Sequence, residues 1–249
     1  MKILVAIPVF NEERYLSRVL RAVRPHARDI LVIDDGSTDR TSAILRRAAD
    51  VHVITHPENR GYGQSLIDAF EFAADGGYDW VITLDCDEQH EPEQIPDFVE
   101  AIRSQRSDII SGSRYLGVFP GDDAAPVDRR RINETVNSLL EQVVGLRLTD
   151  SFCGFKAHRV SAMQRLRLDE PGYAFPLQFW VEAARAGLRI REIPVRRIYR
   201  DRSREFGGTL DDPAARLAHY LEVLVRELRR EPLPARTDAR IACDPCCLD

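Results

Sequence analysis

Residues 3–39 read ILVAIPVFNEERYLSRVLRAVRPHARDILVIDDGSTD. An apolar run, residues 3–9, ends at the polar cluster Asn11, Glu12 and Glu13. An amphipathic stretch near 12–24 follows. A second apolar run at 30–33 then ends on Asp34, Asp35, Gly36, Ser37, Thr38 and Asp39. Two short apolar runs joined by an amphipathic helix read as a βαβ unit, in which both strands run the same way. The alternation continues outward, with apolar runs at 51–55, 80–84 and 109–111 and helical patterns near 38–49, 63–75 and 93–105. This predicts an α/β fold: a Rossmann-like, mostly parallel sheet flanked by helices.

The second half is less regular. Residues 117–128 are rich in Gly, Pro and Asp and read as a long loop. Residues 129–145 read as a helix with Ile132, Val136, Leu139, Leu140, Val143 and Val144 on one face. The segment 150–156 leads to a short helix ending near Leu166. A helix at 175–187, a strand at 188–195 and a last amphipathic helix at 211–230 complete the pattern. The expectation is one domain over 1–230, with a nucleotide-binding half to about 115, an acceptor half beyond it and a mobile tail at 231–249.

A chain of 249 residues can bury the core such a domain needs. Its net charge of −5 argues against a nucleic-acid binder. No run reaches the ~18 apolar residues of a membrane span. The first residues lack the cleavage region of a signal peptide and read as a strand. Three of the five cysteines, Cys243, Cys246 and Cys247, crowd into the last seven residues, which is no disulfide framework. They resemble half a zinc site without a second ligand pair. A cytoplasmic protein is expected, at most peripheral to the inner face of the membrane.

In parallel sheets ligands sit beyond the carboxyl ends of the strands, so the residues there carry the chemistry. After the fourth run come Asp85, Cys86, Asp87, Glu88, Gln89 and His90. In extended backbone, alternate side chains point the same way, so Asp85 and Asp87 can face one ion, with Gln89 able to add an oxygen. Such a set suits Mg²⁺ or Mn²⁺ shared with a diphosphate. Asp34 or Asp35 can accept hydrogen bonds from a base or ribose; the plainer reading is that one of them caps the next helix. There is no G-x-x-x-x-G-K-[ST] and no G-x-G-x-x-G, so a P-loop NTPase is not expected.

Six segments together, 7–13 (IPVFNEE), 34–39 (DDGSTD), 59–63 (NRGYG), 85–90 (DCDEQH), 112–115 (GSRY) and 150–156 (DSFCGFK), resemble glycosyltransferase family 2. The branch they look most like is that of the dolichyl-phosphate mannose synthases. The resemblance runs over about 200 residues. It implies a GT-A fold, a nucleotide-sugar donor such as GDP-mannose or UDP-glucose, and an inverting transfer. By the same resemblance Pro8, Phe10, Glu12, Asp34, Asp35, Asp85 and Arg114 would bind the nucleotide sugar. Asp85, Asp87 and Gln89 would hold the metal, and Asp87, Arg114, Arg131 and Asp150 would serve the reaction. Arg131 would meet an acceptor phosphate. The sequence departs from the branch at Cys86 and Glu88, where a small or apolar residue is usual, and matches its carboxyl-terminal lid only loosely at 201–208.

The departing nucleoside diphosphate needs its developing charge stabilised, which a metal and arginines supply. A phosphate acceptor is already anionic and needs no base. A hydroxyl acceptor needs one, and Asp150 is the first candidate. A polyprenyl phosphate is placed ahead of a soluble hydroxyl acceptor, with the helix at 129–145 as a possible interfacial element. Gln178 and Glu182 are secondary acceptor-side candidates, while His90, Phe179 and Trp180 read as structural. The alternatives are a nucleotidyltransferase, which normally has a Gly-rich basic loop after its first strand, and a catalytically silent nucleotide-sugar binding protein. The oligomeric state is not readable.

Overall fold

A computed structural model describes residues 1–104, 106–199 and 207–231. The tail expected at 231–249, with Cys243, Cys246 and Cys247, lies outside the described residues from 232 onward, as does most of the lid-like segment. In chain order the elements are β1 (Ile3–Val9), α1 (Leu16–Val23), β2 (Asp29–Asp34), α2 (Thr41–Leu45), β3 (His52–Thr55), α3 (Tyr62–Asp75), β4 (Trp80–Thr83) and α4 (Ile95–Arg103). Then follow β5 (Ile109–Ser113), α5 (Val127–Val144), β6 (Lys156–Arg159), α6 (Val160–Met163), α7 (Phe175–Arg185), β7 (Ile190–Pro194) and α8 (Pro213–Arg230).

The strands form one sheet in the order β3-β2-β1-β4-β6-β5-β7. All pairings are parallel except those of β6, which runs antiparallel between β4 and β5. Strand alternation splits the core into two layers. Leu4, Ala6, Leu31 and Ile33 face α3, α5, α7 and α8. Val5, Ile7, Val9, Ile30 and Val32 face α1, α2 and α4. Both faces are covered, which is why the inner strands read as unbroken apolar runs.

Three expectations change. Strand β6, Lys-Ala-His-Arg, has no apolar alternation and was not foreseen. Helix α2 begins only at Thr41; ahead of it the backbone N–H groups of residues 38–40 bond the side chains of Asn11 and Glu13. The apolar face of α5 is no membrane interface: Ile132, Val136 and Leu140 are buried in the core with Trp180 and Val181 of α7. Only Val143 of that face is exposed.

Candidate active site

The sheet order reverses between β1 and β4, and ligand crevices of α/β sheets open at such points. A cavity of about 710 Å³ lies there. Its floor comes from the loops after β1, β2 and β4, and its far wall from the 150–156 segment and from α5, α7 and α8.

The first two loops are stitched together. Asn11 sits at φ 56°, a left-handed conformation asparagine tolerates, and its Oδ1 accepts from the N–H groups of Thr38 (2.8 Å) and Asp39 (3.2 Å). Ser37 Oγ accepts from Asn11 N, and Thr41 Oγ1 from Glu12 N. Gly36 is required where it stands: its φ is 71°, and a Cβ there would meet the Glu58 carbonyl carbon at 2.3 Å. Pro8, Phe10 and Glu12 line the cavity.

Asp34 and Asp35 divide the work. Asp34 is fully buried and does not line the cavity; it accepts from Ser37 N (3.1 Å) and Ser42 Oγ (2.5 Å), holding the turn into α2. The nucleotide role expected for Asp34 is therefore corrected to a structural one. Asp35 does line the cavity. It accepts from Arg60 N (2.7 Å) and Gly61 N (2.9 Å) and bonds His56 Nδ1 (2.6 Å), whose other nitrogen lies 2.6 Å from Asp68. Asp35 thus fixes the 59–61 turn against the floor.

Asp85, Asp87 and Gln89 all line the cavity. Tyr62 Oη donates to Asp85 Oδ1 at 3.1 Å; burial, then the Asp85 charge, push this phenol well above its ordinary pKa, so it stays a donor. Asp87 Oδ1 accepts from Gln89 N at 3.0 Å. Gly154 lets the 150–156 segment press on Asp85: a Cβ there would stand 2.3 Å from Oδ2. Among the described residues no three His, Cys, Asp or Glu side chains form a metal cage. Two carboxylates and an amide oxygen on one wall instead fit a hard divalent ion that takes its other ligands from phosphates and water.

Arg114 lines the cavity and is held from behind. Its Nε and Nη2 donate to the two oxygens of Asp150 at 2.7 and 2.9 Å, a bidentate pair. Asp150 has no exposed surface and also accepts from the backbone of Arg114 and Phe152. Burial raises its pKa, but the Arg114 charge and hydrogen bonds outweigh this and hold it below the usual carboxylate range. Asp150 does not itself line the cavity; its carboxylate holds Arg114 at the wall. Arg131 also departs from expectation. It is exposed and does not line the cavity, whereas Arg129, Ile132 and Asn133 of α5 do. Residue 131 lies about 200° round the helix from 129, on the outer face.

The model of glycosyl transferase family 2 matches residues 4–167. The chain belongs to glycosyltransferase family 2. It is 32% identical over 234 residues to the undecaprenyl-phosphate mannosyltransferase of Micrococcus luteus, covering 88% of this chain and 94% of that protein. It is 29% identical to the polyprenol monophosphomannose synthase of Mycolicibacterium smegmatis, covering 77% and 76%. Among solved structures it resembles glucosyl-3-phosphoglycerate synthase of Mycobacterium tuberculosis, crystallised with Mn²⁺, UDP and glucosyl-3-phosphoglycerate. The TM-score is 0.69 at 22% identity, over 91% of this chain and 79% of that one. At that identity the likeness speaks for the fold, which is GT-A. The nucleotidyltransferase and silent-binder alternatives give way to glycosyl transfer.

Several residues of this glycosyltransferase escaped sequence reading. Tyr62, Arg129, Cys153, Gly154, Lys156 and Tyr220 all line the cavity. Tyr62, Gly154 and Lys156 lay inside motifs already singled out, so only their orientation was missing. Lys156 is buried, and that burial lowers its pKa; its Nζ donates to the Cys153 carbonyl. Gln178 and Glu182 are not acceptor-side groups. Gln178 accepts from the N–H groups of Asp169 and Glu170, and Glu182 binds Arg185 and Arg167 N. His90 is buried behind Asp85, whose N–H it accepts at 3.1 Å. Trp180 is core, and Phe179 is both core and cavity wall.

Proposed function

We propose that this enzyme moves a hexose from a nucleotide sugar, GDP-mannose or UDP-glucose, to the phosphate of a polyprenyl phosphate, with inversion at the anomeric carbon. The observation that carries the reading is the Arg114–Asp150 pair. Asp150 is spent on fixing a cation at the cavity wall. An acceptor that is already an anion suits that arrangement: it needs no base and is attracted by Arg114, Arg129 and Lys156. The names of the Micrococcus and Mycolicibacterium relatives, both polyprenyl-linked, support the same acceptor.

On this reading Pro8, Phe10, Glu12 and Asp35 bound the nucleotide, and Asp85, Asp87 and Gln89 hold Mg²⁺ or Mn²⁺ against its diphosphate. The ion, when bound, supplies neutralising charge to the leaving group. Tyr62 orients the Asp85 carboxylate. Arg114, stiffened by Asp150, presents its remaining N–H toward phosphate oxygens without reorganising, which is where electrostatic catalysis gains most. The acceptor oxygen forms its bond to the anomeric carbon as the bond to the diphosphate breaks on the opposite face. The enzyme would work at the cytoplasmic side of a membrane.

The test supplies the purified chain with each labelled donor, Mg²⁺, Mn²⁺ or chelator, and either undecaprenyl phosphate or soluble alcohols. Metal-dependent transfer to the lipid phosphate alone, with an inverted anomer by NMR, is expected. Transfer to alcohols alone overturns the acceptor, and full activity in excess chelator overturns the metal.

A further inference from the structure

Behind the cavity floor stands a row of three titratable side chains, of which the transfer reaction uses only the first. Asp35 lines the cavity; His56 and Asp68 do not. His56 follows β3, its backbone N–H donates to the Asp34 carbonyl, and its side chain is 4% exposed. Its Nδ1 lies 2.6 Å from Asp35 Oδ1, and its Nε2 lies 2.6 Å from Asp68 Oδ2 on α3. Asp68 is held in turn: Gln64 Nε2 donates to its Oδ1 at 2.7 Å, and the exposed Arg60 guanidinium is 3.6 Å from Oδ2.

Counting hydrogen bonds fixes the protons. An ionised carboxylate only accepts, and a neutral imidazole donates from one nitrogen and accepts at the other. Each of the two short gaps therefore needs a proton of its own. In the gap to Asp35 that proton sits on the ring, because Asp35 Oδ1 already accepts from Arg60 N at 2.7 Å. In the other gap it lies between Nε2 and Asp68.

We infer that His56 is a positioning residue of the nucleotide site: its Nδ1–H, with the ring oriented by Asp68, sets how Asp35 meets the nucleoside. A carboxylate has about four acceptor positions. Among the described residues three of those on Asp35 are filled from within, two on Oδ1 by Arg60 N and the ring and one on Oδ2 by Gly61 N. One position, on Oδ2, is left for a single N–H or O–H of the nucleoside. Without the ring Oδ1 regains a free lone pair, and the carboxylate is free to turn. The two backbone donors still hold the 59–61 turn, so the metal and diphosphate side is untouched. The inference deepens the nucleotide-side role proposed for Asp35 and rests on it.

The test uses the full chain. NMR of the ligand-free protein with isotope-labelled histidine should show a proton on His56 Nδ1. Calorimetry then compares UDP and GDP with inorganic pyrophosphate, each with Mn²⁺. His56→Gln is expected to weaken binding of the preferred nucleotide about tenfold, as the loss of one hydrogen bond to a charged group would, and to keep pyrophosphate affinity. Donor KM should rise in step while kcat is kept, the mark of lost ground-state binding. Asp68→Ala should weaken the nucleotide by a smaller factor, and Asp68→Asn, whose amide still partners Nε2, should restore most of it. A bare Nδ1 overturns the inference. So does wild-type nucleotide affinity in folded His56→Gln, or an equal loss for nucleotide and pyrophosphate, since the ring then only holds the fold together. If His56→Gln does not fold, the ring signal and the Asp68 pair decide: wild-type affinity in Asp68→Ala overturns the role. A wild type that binds pyrophosphate and neither nucleotide strikes the nucleotide role of Asp35, and this inference with it. Losses confined to the nucleotide, with no transfer to polyprenyl phosphate, support His56 and strike the acceptor reading alone.

Discussion

At the scale of single residues, Asp34 and Asp35 are adjacent in sequence and opposite in role. Asp34→Ala removes the acceptor for Ser37 N and Ser42 Oγ. A cost of about 1–2 kcal/mol in stability is expected, with nucleoside diphosphate affinity kept. Asp35→Ala instead releases Arg60 N and Gly61 N at the cavity floor, and calorimetry should record weaker nucleotide binding. Equal affinity losses in the two variants would contradict the division. Asp150 makes a separate prediction through pH. Its folded pKa is lowered, so its contribution is fully present above the unfolded value of about 3.9 and is lost as pH falls through the folded value. Asp150→Asn should therefore flatten the acid limb of the stability curve and lower turnover by loosening Arg114. An unchanged acid limb would count against the pair. Asp87→Asn should keep the melting temperature and lose most metal-dependent transfer, as expected of a carboxylate at a strand end that lines the cavity.

At the scale of elements, Gly154 links an unforeseen strand to the acidic pair. It precedes β6, whose register sets Lys156 opposite Thr83 of β4. The 154–156 backbone is thereby held against Asp85. In Gly154→Ala the new Cβ would overlap Asp85 Oδ2, so the carboxylate must turn aside. At least tenfold lower turnover is expected, together with a higher metal requirement and little change in melting temperature; wild-type metal titration in this variant would disprove the contact. The elements readable in the sequence were those whose pattern reports burial directly, such as β1 and β2 with their apolar runs, and α1 with Leu16, Val19, Leu20 and Val23 on one face. Strand β6 was not readable because two of its three buried side chains, Lys156 and His158, are polar. His158 lies between Phe70 and Phe179 with its pKa driven well below normal by burial, a neutral ring used as core. The site was legible as motifs but not as directions. Arg131 and Arg129 look alike in a string, and only the phase of α5 separates them.

At the scale of the whole molecule, the chain's two halves are interleaved. Residues 1–115 carry the nucleotide-side motifs and all of β1 to β5, as a unit that folds alone would. The sheet order argues otherwise. Among the described residues strand β5 pairs only with β6 and β7, so cutting after 115 leaves it without a neighbour and gives β4 an open edge. The same cut strips α5, α7 and α8 from one face, exposing the apolar side of α3 and of the strands beneath it. Side chains such as Phe70 and Leu66 would lose burial worth roughly 1.5–3 kcal/mol each, a large share of a domain's net stability of about 5–15 kcal/mol. A 1–115 fragment is therefore expected to unfold without a cooperative transition, to bind a hydrophobic dye and to lose nucleotide affinity, while the full chain unfolds in one step. A fragment with a sharp transition and the full chain's affinity would mean that the first half stands alone, and that the second was added to a binding module already complete.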